Sequence, residues 1–355
     1  MSKKIGYGVL GLGIGRYHAK AAFDMEEAEL VAVCDARPDR LEKHKREYPE
    51  MYPDLTVYTK YEDMLANPDI DIISVATPSG THAEYVCQAL RAGKHVLVEK
   101  PIDITLEAAQ SIVECMKETG KKVACVFQNR RTPNILAMKE AIDNGRLGKL
   151  ISGEFSVNWY RTDDYFADGG WRGTWAMDGG GSLMNQAVHT VDLMQWMMGD
   201  VYSVRSVMGL YNHDIETEDM TKSIVTFKNG AVATFTSTTC AYPGISTEIM
   251  LYGTNGSIEA DADTLKTWKM REPLADMDED DEEEMMLARY GKGNREAAKL
   301  EPDKLYGHRH VVEDMILAVR DDRDPEVLPT TGADCVKLIG AIYESAKTGK
   351  TVTLE

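Results

Sequence analysis

The sequence is short of positive charge. It sets 40 Lys and Arg against 58 Asp and Glu, a formal net charge of −18 at pH 7, which argues against nucleic acid and anionic membrane as partners. No apolar run approaches the roughly 20 residues that cross a bilayer, so no membrane span is expected. Cysteine is sparse: Cys34, Cys87, Cys115, Cys125, Cys240 and Cys335 are dispersed, with no Cys-x-x-Cys pair. That pattern argues against a disulfide framework or a zinc site and fits a reducing compartment. Eight acids crowd into residues 276–284, but they lack the alternating ligands and glycine of a calcium loop. They read as a solvated loop, and no metal is expected. Residues 1–14 carry lysines ahead of an apolar stretch, yet glycines at 6, 8, 11 and 13 interrupt it and no small-residue cleavage site follows. A first core strand explains that stretch better than a signal peptide, and the expectation is a cytoplasmic protein.

What is present is alternation. A chain of 355 residues suggests two domains. Short apolar runs at 5–10, 29–34, 70–76, 95–98 and 123–127 alternate with helical patterns at 41–47, 81–92 and 106–119. Gly93 and Gly120 are helix stops. This repetition predicts an α/β, Rossmann-type doubly wound parallel sheet. After Gly148 the chain becomes β-rich, with runs at 151–159, 204–210, 223–227, 231–239 and 248–252 and turns at Lys228-Asn229-Gly230 and Thr254-Asn255-Gly256. This half predicts an α+β domain with an open-faced, mostly antiparallel sheet. Residues 271–303 read as a charged surface excursion, and helices are expected over 308–320 and 331–348. The expected domains are 1–127 and 128–355, with the C-terminal helices free to pack back on the first. No internal repeat is present.

The first strand runs into Gly11-Leu12-Gly13-Ile14-Gly15 and then a helical pattern. Glycines there permit a tight turn and let backbone approach a pyrophosphate at the helix N-terminus. The loop is one residue shorter than the usual G-x-G-x-x-G. Asp35 ends the second strand about twenty residues on, where an acid accepts from the adenosine ribose hydroxyls and repels a 2′-phosphate. NAD is therefore favoured over NADP, with Arg37 and Arg40 close enough to leave that choice open. A helix cap is the alternative reading of Asp35. The apolar run at 95–98 stops at Glu99-Lys100-Pro101, because proline fixes φ and offers no amide donor. A carboxylate and an ammonium are thus delivered to the carboxyl edge of the sheet, where open α/β folds bind ligands.

Together with Ala76-Thr77-Pro78, His82, Ala92-Gly93-Lys94, Asn129-Arg130, Pro133, and Gly179-Gly180-Gly181 followed by His189 and Asp192, these segments resemble the glucose–fructose oxidoreductase/inositol dehydrogenase (Gfo/Idh/MocA) family over nearly the whole chain. The resemblance implies an NAD(P)-dependent oxidoreductase acting on a secondary alcohol or ketone of a sugar, sugar acid, nucleotide sugar or cyclitol, in a homodimer or homotetramer. It implies cofactor binding by Gly11, Gly13, Ile14, Gly15, Asp35, Ala76, Thr77, Pro78, His82, Glu99, Lys100 and Asn129. It also implies that Lys100 and His189 act at the substrate carbon facing the nicotinamide.

Asn185, His189 and Asp192 fall at i, i+4 and i+7, one stripe of a helix, beside an apolar stripe that would seat it. The preceding glycines would leave its N-terminus open to a ligand. Many members of the family carry Asp where this chain has Asn185; an amide accepts no proton in catalysis but still hydrogen-bonds a sugar hydroxyl. Trp171, Arg172 and Trp175, with Tyr160, Arg161 and Tyr165, are candidates to stack on a sugar or clamp an anion; packing is the alternative, evenly balanced for Trp175. Gln186 and His308 complete the substrate candidates, His308 being equally a surface residue. The segments 171–175 and 184–186 look most like members acting on nucleotide sugars or amino-sugar acids. Two other functions remain open on sequence: an NAD-retaining lyase or glycosidase that oxidises its substrate transiently, and a non-catalytic dinucleotide-binding sensor.

Overall fold

A computed structural model describes residues 4–167, 170–291 and 304–354. The chain divides into two compact units: Met1–Gln128 with Asp303–Val336, and Asn129–Pro302 with Lys337–Glu355. Residues 303–336 thus group with the N-terminal segment.

The first unit alternates β1 (Ile5–Leu10), α1 (Gly15–Phe23), β2 (Ala28–Cys34), α2 (Pro38–Glu47), β3 (Thr56–Tyr58), α3 (Tyr61–Leu65), β4 (Ile72–Val75), α4 (His82–Arg91), β5 (His95–Val98), α5 (Leu106–Thr119) and β6 (Val123–Cys125). The strands form one sheet in the order β3-β2-β1-β4-β5-β6, and its pairings are parallel. The strands are apolar because both faces are covered; Val9, Ile72, Val75, Val96 and Leu97 are fully buried. Each such side chain contributes about 1.5–3 kcal/mol. Thr105 caps α5 by accepting from the Ala108 amide, and Gly120 ends it in the left-handed conformation.

The chain then makes α6 (Pro133–Asp143), β7 (Leu150–Asn158), α7 (Asp163–Ala167), α8 (Val188–Met198), six strands β8 (Val201–Gly209), β9 (Met220–Phe227), β10 (Val232–Thr238), β11 (Ser246–Gly253), β12 (Gly256–Asp261) and β13 (Thr264–Met270), and α9 (Glu279–Tyr290). It ends with α10 (Lys304–Arg320), α11 (Pro329–Thr348) and β14 (Val352–Thr353). The second unit's eight-stranded sheet runs β13-β12-β11-β7-β10-β9-β8-β14. It is antiparallel except where β10 pairs parallel with β7. The turn 228–230 joins β9 to β10 as its Asn-Gly signal predicts, with Gly230 at positive φ. In the first unit α10 returns to α1, its Val312, Met315 and Ile316 joining the core around Ala19 and Ala22.

Two sequence expectations fail. The acidic run is not a loop: it opens α9, where Asp278 forms a capping box with Asp281. Acids are stabilising in a helix's first turn, and Glu282 turns inward to Arg146 at 2.8 Å and to the Trp268 indole at 2.9 Å. The rest of the expected excursion, residues 292–303, lies outside the described residues. The cysteines are also not all free, since Cys87 on α4 and Cys115 on α5 form a disulfide with Cα atoms 5.8 Å apart. Two residues 28 apart in sequence give no local sign of such a pairing.

Candidate active site

In the first unit the glycine loop has a distinct reason for each glycine. Gly11 has a φ of +89°, and a Cβ there would lie 2.5 Å from the Ala76 carbonyl oxygen. At Gly15 a Cβ would meet Val9 Cγ1 at 2.9 Å, so this glycine lets α1 close on the sheet. Gly13 faces open space, with only Arg40 within 4 Å. The N-cap of α1, Ile14, makes no side-chain cap, so the first amides of the helix remain available to an anion. Asp35 accepts from the Leu12 amide at 2.8 Å and the Arg37 amide at 2.9 Å, tying the end of β2 to the glycine loop. The N-cap of α2 is Arg37, so the cap reading of Asp35 does not hold. Arg37 pairs with Asp39, and Arg40 lies 3.8 Å from Asp35. An uncapped helix N-terminus, an open glycine and a carboxylate at the neighbouring strand end fit a dinucleotide.

At the ends of β4 and β5, Thr77 bonds Thr81 hydroxyl to hydroxyl at 2.8 Å, and Thr81 donates to the Pro78 carbonyl. His82 is buried and spends both ring nitrogens on backbone, 2.8 Å from the Pro101 carbonyl and 2.9 Å from that of Thr77. It thereby ties the loop after β4 to the end of β5 at the ligand edge. Glu99 is buried between His18 (3.1 Å) and His308 (3.5 Å), and its other oxygen accepts from the Lys100 amide at 3.0 Å. Burial raises the Glu99 carboxyl, but the two histidines outweigh it and hold the group well below the usual range. Burial also lowers His18, against the pull of Glu99. His308 belongs to the first unit and is 4% exposed, so it is not a surface histidine. Lys100 is half-buried and joined to Pro101 by a cis peptide.

In the second unit the expected single helix is two pieces: a π-helical turn over Ser182–Gln186, then α8. Asn185 and His189 therefore do not lie on one regular helical stripe. Asp192 is buried and accepts from Arg130 with bonds of 2.6 and 2.8 Å. The N-terminus of the π-turn is not open. The Glu218 carboxylate accepts from the Gly181 amide (2.7 Å) and the Leu183 amide (2.8 Å), and the Tyr343 hydroxyl donates to it at 3.0 Å. The glycines serve this packing: a Cβ on Gly181 would sit 2.0 Å from the Glu218 carbonyl oxygen, and one on Gly180 2.0 Å from the Tyr343 hydroxyl. Burial pushes Glu218 up to about 7, against its backbone hydrogen bonds. No local pattern around residue 218 announces this role.

Asn185 donates to Asp178 and accepts from Gln186 at 2.9 Å. Gln186 in turn bonds the Tyr165 hydroxyl at 2.7 Å and accepts from Arg161 Nε at 2.9 Å. The Arg161 guanidinium lies 4.8 Å from the Trp159 ring and 5.2 Å from that of Tyr165; Arg172 lies 4.7 Å from Tyr165 and 5.1 Å from Trp171. Arg161, Tyr165, Trp171, Arg172, Asn185 and Gln186 are thus brought together. Tyr160 stands apart, edge-on to Tyr242. Trp175 is half-buried; its indole donates to the Glu216 carbonyl at 2.9 Å and its ring meets Tyr343 edge-on. Asn129 sits in the short turn Gln128–Arg131 where the chain passes from the first unit to the second.

Among the described residues two sets of side chains have metal-ligand chemistry, His18-Glu99-His308 and His213-Asp219-Cys240, each with ligand atoms within 4.8 Å of one another. In the second set the Asp219 carboxylate is already taken by the amides of Tyr211, Asn212 and His213. Among the described residues no helix is long and apolar enough to cross a membrane.

Comparison with known proteins gives the family and the fold. Residues 5–127 match the model of an oxidoreductase family with an NAD-binding Rossmann fold, and residues 135–259 match the GFO/IDH/MocA C-terminal domain. The WlbA dehydrogenase of Bordetella pertussis, solved with NADH and UDP-GlcNAcA, superposes with a TM-score of 0.88 at 29% identity, over 100% of this chain and 99% of that one. The WlbA dehydrogenase of Chromobacterium violaceum, solved with the same two ligands, gives 0.87 at 30% identity, over 100% and 97%. The myo-inositol 2-dehydrogenase of Thermotoga maritima is 28% identical over 72% of this chain and 74% of its own length. The chain belongs to the GFO/IDH/MocA family and is an NAD-binding oxidoreductase with a dehydrogenase's fold.

Proposed function

We propose that the protein interconverts a secondary alcohol and a ketone on a carbohydrate bearing an anionic group, a nucleotide sugar or a sugar acid. The observation that carries the anionic class is the convergence of Arg161 and Arg172 on the Tyr165 ring, next to Gln186 and Asn185. Two guanidinium groups held against aromatic rings and amide side chains are the chemistry that recognises a carboxylate or phosphate on a sugar. The two WlbA enzymes, solved with UDP-GlcNAcA, support the same class.

When bound, the nicotinamide supplies the hydride chemistry. Gly11, Gly13, Ile14 and Gly15 would hold the pyrophosphate, Asp35 the adenosine ribose, and Ala76, Thr77, Pro78, Glu99 and Asn129 the remainder. Lys100 takes the hydroxyl proton on oxidation and returns it on reduction, and His189 is the second acid–base group assigned to the reaction. Asn185 and Gln186 orient the sugar hydroxyls. General acid–base help of this kind is worth about 10²–10⁴-fold. We infer also that a second copy covers the outer face of the second unit's sheet, where Val207, Ile224 and Val232 are exposed and the register aligns Arg205 with Ile224. Sedimentation at graded concentration reads that association.

The deciding experiment is a panel of sugars, sugar acids, cyclitols and nucleotide sugars, followed by NADH absorbance at steady state. Turnover confined to the anionic members is expected. Equal turnover on neutral sugars, or none on any member, overturns the substrate class.

A further inference from the structure

The first unit buries a carboxylate at its ligand edge and keeps it an anion. Glu99 follows β5 and is 3% exposed. Its partners fix the direction of a hydrogen-bond chain. An ionised carboxylate only accepts, so His18 Nε2 carries the hydrogen. The neutral ring then accepts at Nδ1 from Ser74 Oγ at 2.9 Å, and Ser74 accepts from the Tyr7 hydroxyl at 2.7 Å. Tyr7, Ser74 and His18 are fully buried. His308 reaches the same carboxylate oxygen from α10, its ring stacked on Tyr17 at 5.9 Å. A charge taken out of water is tolerated only when paired and hydrogen-bonded, and this one is clamped from two helices. The result is a fixed negative field at the sheet edge.

What that field acts on follows from strand order, and rests on the dinucleotide reading above. Asp35 at the end of β2 takes the adenosine ribose, and the loop after β1 takes the pyrophosphate. In the order β3-β2-β1-β4-β5-β6, the rest of the cofactor then falls toward the ends of β4 and β5. That end is the nicotinamide, whose ring is positively charged when oxidised and neutral when reduced. The adenosine, both riboses and the pyrophosphate are common to the two forms. A fixed charge therefore discriminates them through the ring alone.

We propose that Glu99 sets the relative affinity for oxidised over reduced dinucleotide, with His18 and His308 as positioning residues that hold its charge in place. Lys100, the next residue, offsets part of the field when it is protonated. Removing the negative member therefore moves the balance toward the reduced form, whatever the starting ratio.

The test titrates the full chain with NAD⁺, NADH and ADP-ribose, which lacks the nicotinamide. For Glu99→Gln the ratio of NAD⁺ to NADH affinity is expected to fall about tenfold, with ADP-ribose binding unchanged. An unchanged ratio with ADP-ribose still bound overturns the proposal. If the variant loses ADP-ribose binding, the measurement passes to the wild-type protein and a dinucleotide whose nicotinamide is replaced by uncharged benzamide. NAD⁺ is then expected to bind tighter than this analogue, and equal or weaker binding overturns the proposal. Wild-type protein that binds no dinucleotide at all removes the underlying reading instead.

Discussion

Asn185 donates its amide hydrogen to Asp178, which accepts on its other oxygen from the Gly173 amide at 2.9 Å. Both side chains are buried, at 7% and 2% exposure. An aspartate at 185 would place two carboxylates in contact, and such a pair shares one proton rather than ionising twice. The amide at 185 is thus matched to the acid at 178. Asn185→Asp is expected to destabilise the protein by about 2–4 kcal/mol at pH 8 and by less at pH 5, where one carboxyl is protonated. Combining it with Asp178→Asn should restore most of the loss. Denaturant unfolding of the four proteins measures the coupling; strict additivity of the two single changes would contradict the pairing.

Glu218 makes a pH-dependent contribution with a definite sign. Its folded value of about 7 lies above the ordinary glutamate value of 4.5, so the folded state holds the proton longer than the unfolded state. The stability it contributes is full below about pH 4.5 and declines as pH rises, the loss being complete once pH passes about 7. Relative to Glu218→Gln, which does not titrate, the wild type should lose up to about 3 kcal/mol across this window. Parallel stability–pH curves for the two proteins would refute the raised value. Gly181→Ala should be severely destabilising at every pH, because its Cβ would collide with the Glu218 backbone oxygen.

Arg130 and Asp192 form a fork with the acid 1% exposed, and the guanidinium lies 4.8 Å from the Trp196 ring. Arg130→Met leaves a buried carboxylate without its cation, at an expected cost of about 3–5 kcal/mol. Arg130→Lys keeps the charge but loses the fork and the stacking, and should fall between. Urea midpoints rank the three proteins, and a lysine variant as stable as wild type would show that the fork geometry contributes little.

The first unit was largely legible because its signals are local. The runs at 5–10 and 95–98 and the helix at 106–119 coincide with β1, β5 and α5, each bounded by a glycine, a proline or a cap. The glycine loop and Asp35 were readable for the same reason, since turn geometry and strand ends leave marks within a few residues. Glu218 was not, because its partners Gly181 and Tyr343 lie 37 and 125 residues away. A buried carboxylate in a strand lead-in looks like any surface acid until the contact is seen. The break between residues 182–186 and α8 is likewise set by tertiary contacts, not by helix periodicity, and the α9 acids were misread because charge density masked a capping box. His18, in the first turn of α1, has no role legible in the sequence, because Glu99 and His308 reach it only in the fold.

The catalytic assignment rests on Lys100 and His189, and each makes a separable prediction. Lys100→Met retains the methylene stem and removes only the ammonium, so dinucleotide binding read by fluorescence should persist. Turnover should fall about 10²–10⁴-fold, the usual worth of an acid–base group. His189→Asn keeps a hydrogen-bonding side chain and should weaken both turnover and substrate binding, raising KM as well as lowering kcat. The lysine variant carries a second signature. Because its ammonium offsets the field of Glu99, removing it should shift relative affinity toward oxidised dinucleotide, opposite in sign to Glu99→Gln. Near-normal turnover in both variants would end the catalytic assignment, while shifts of the same sign from Lys100→Met and Glu99→Gln would show that charge is not what the sheet edge reads.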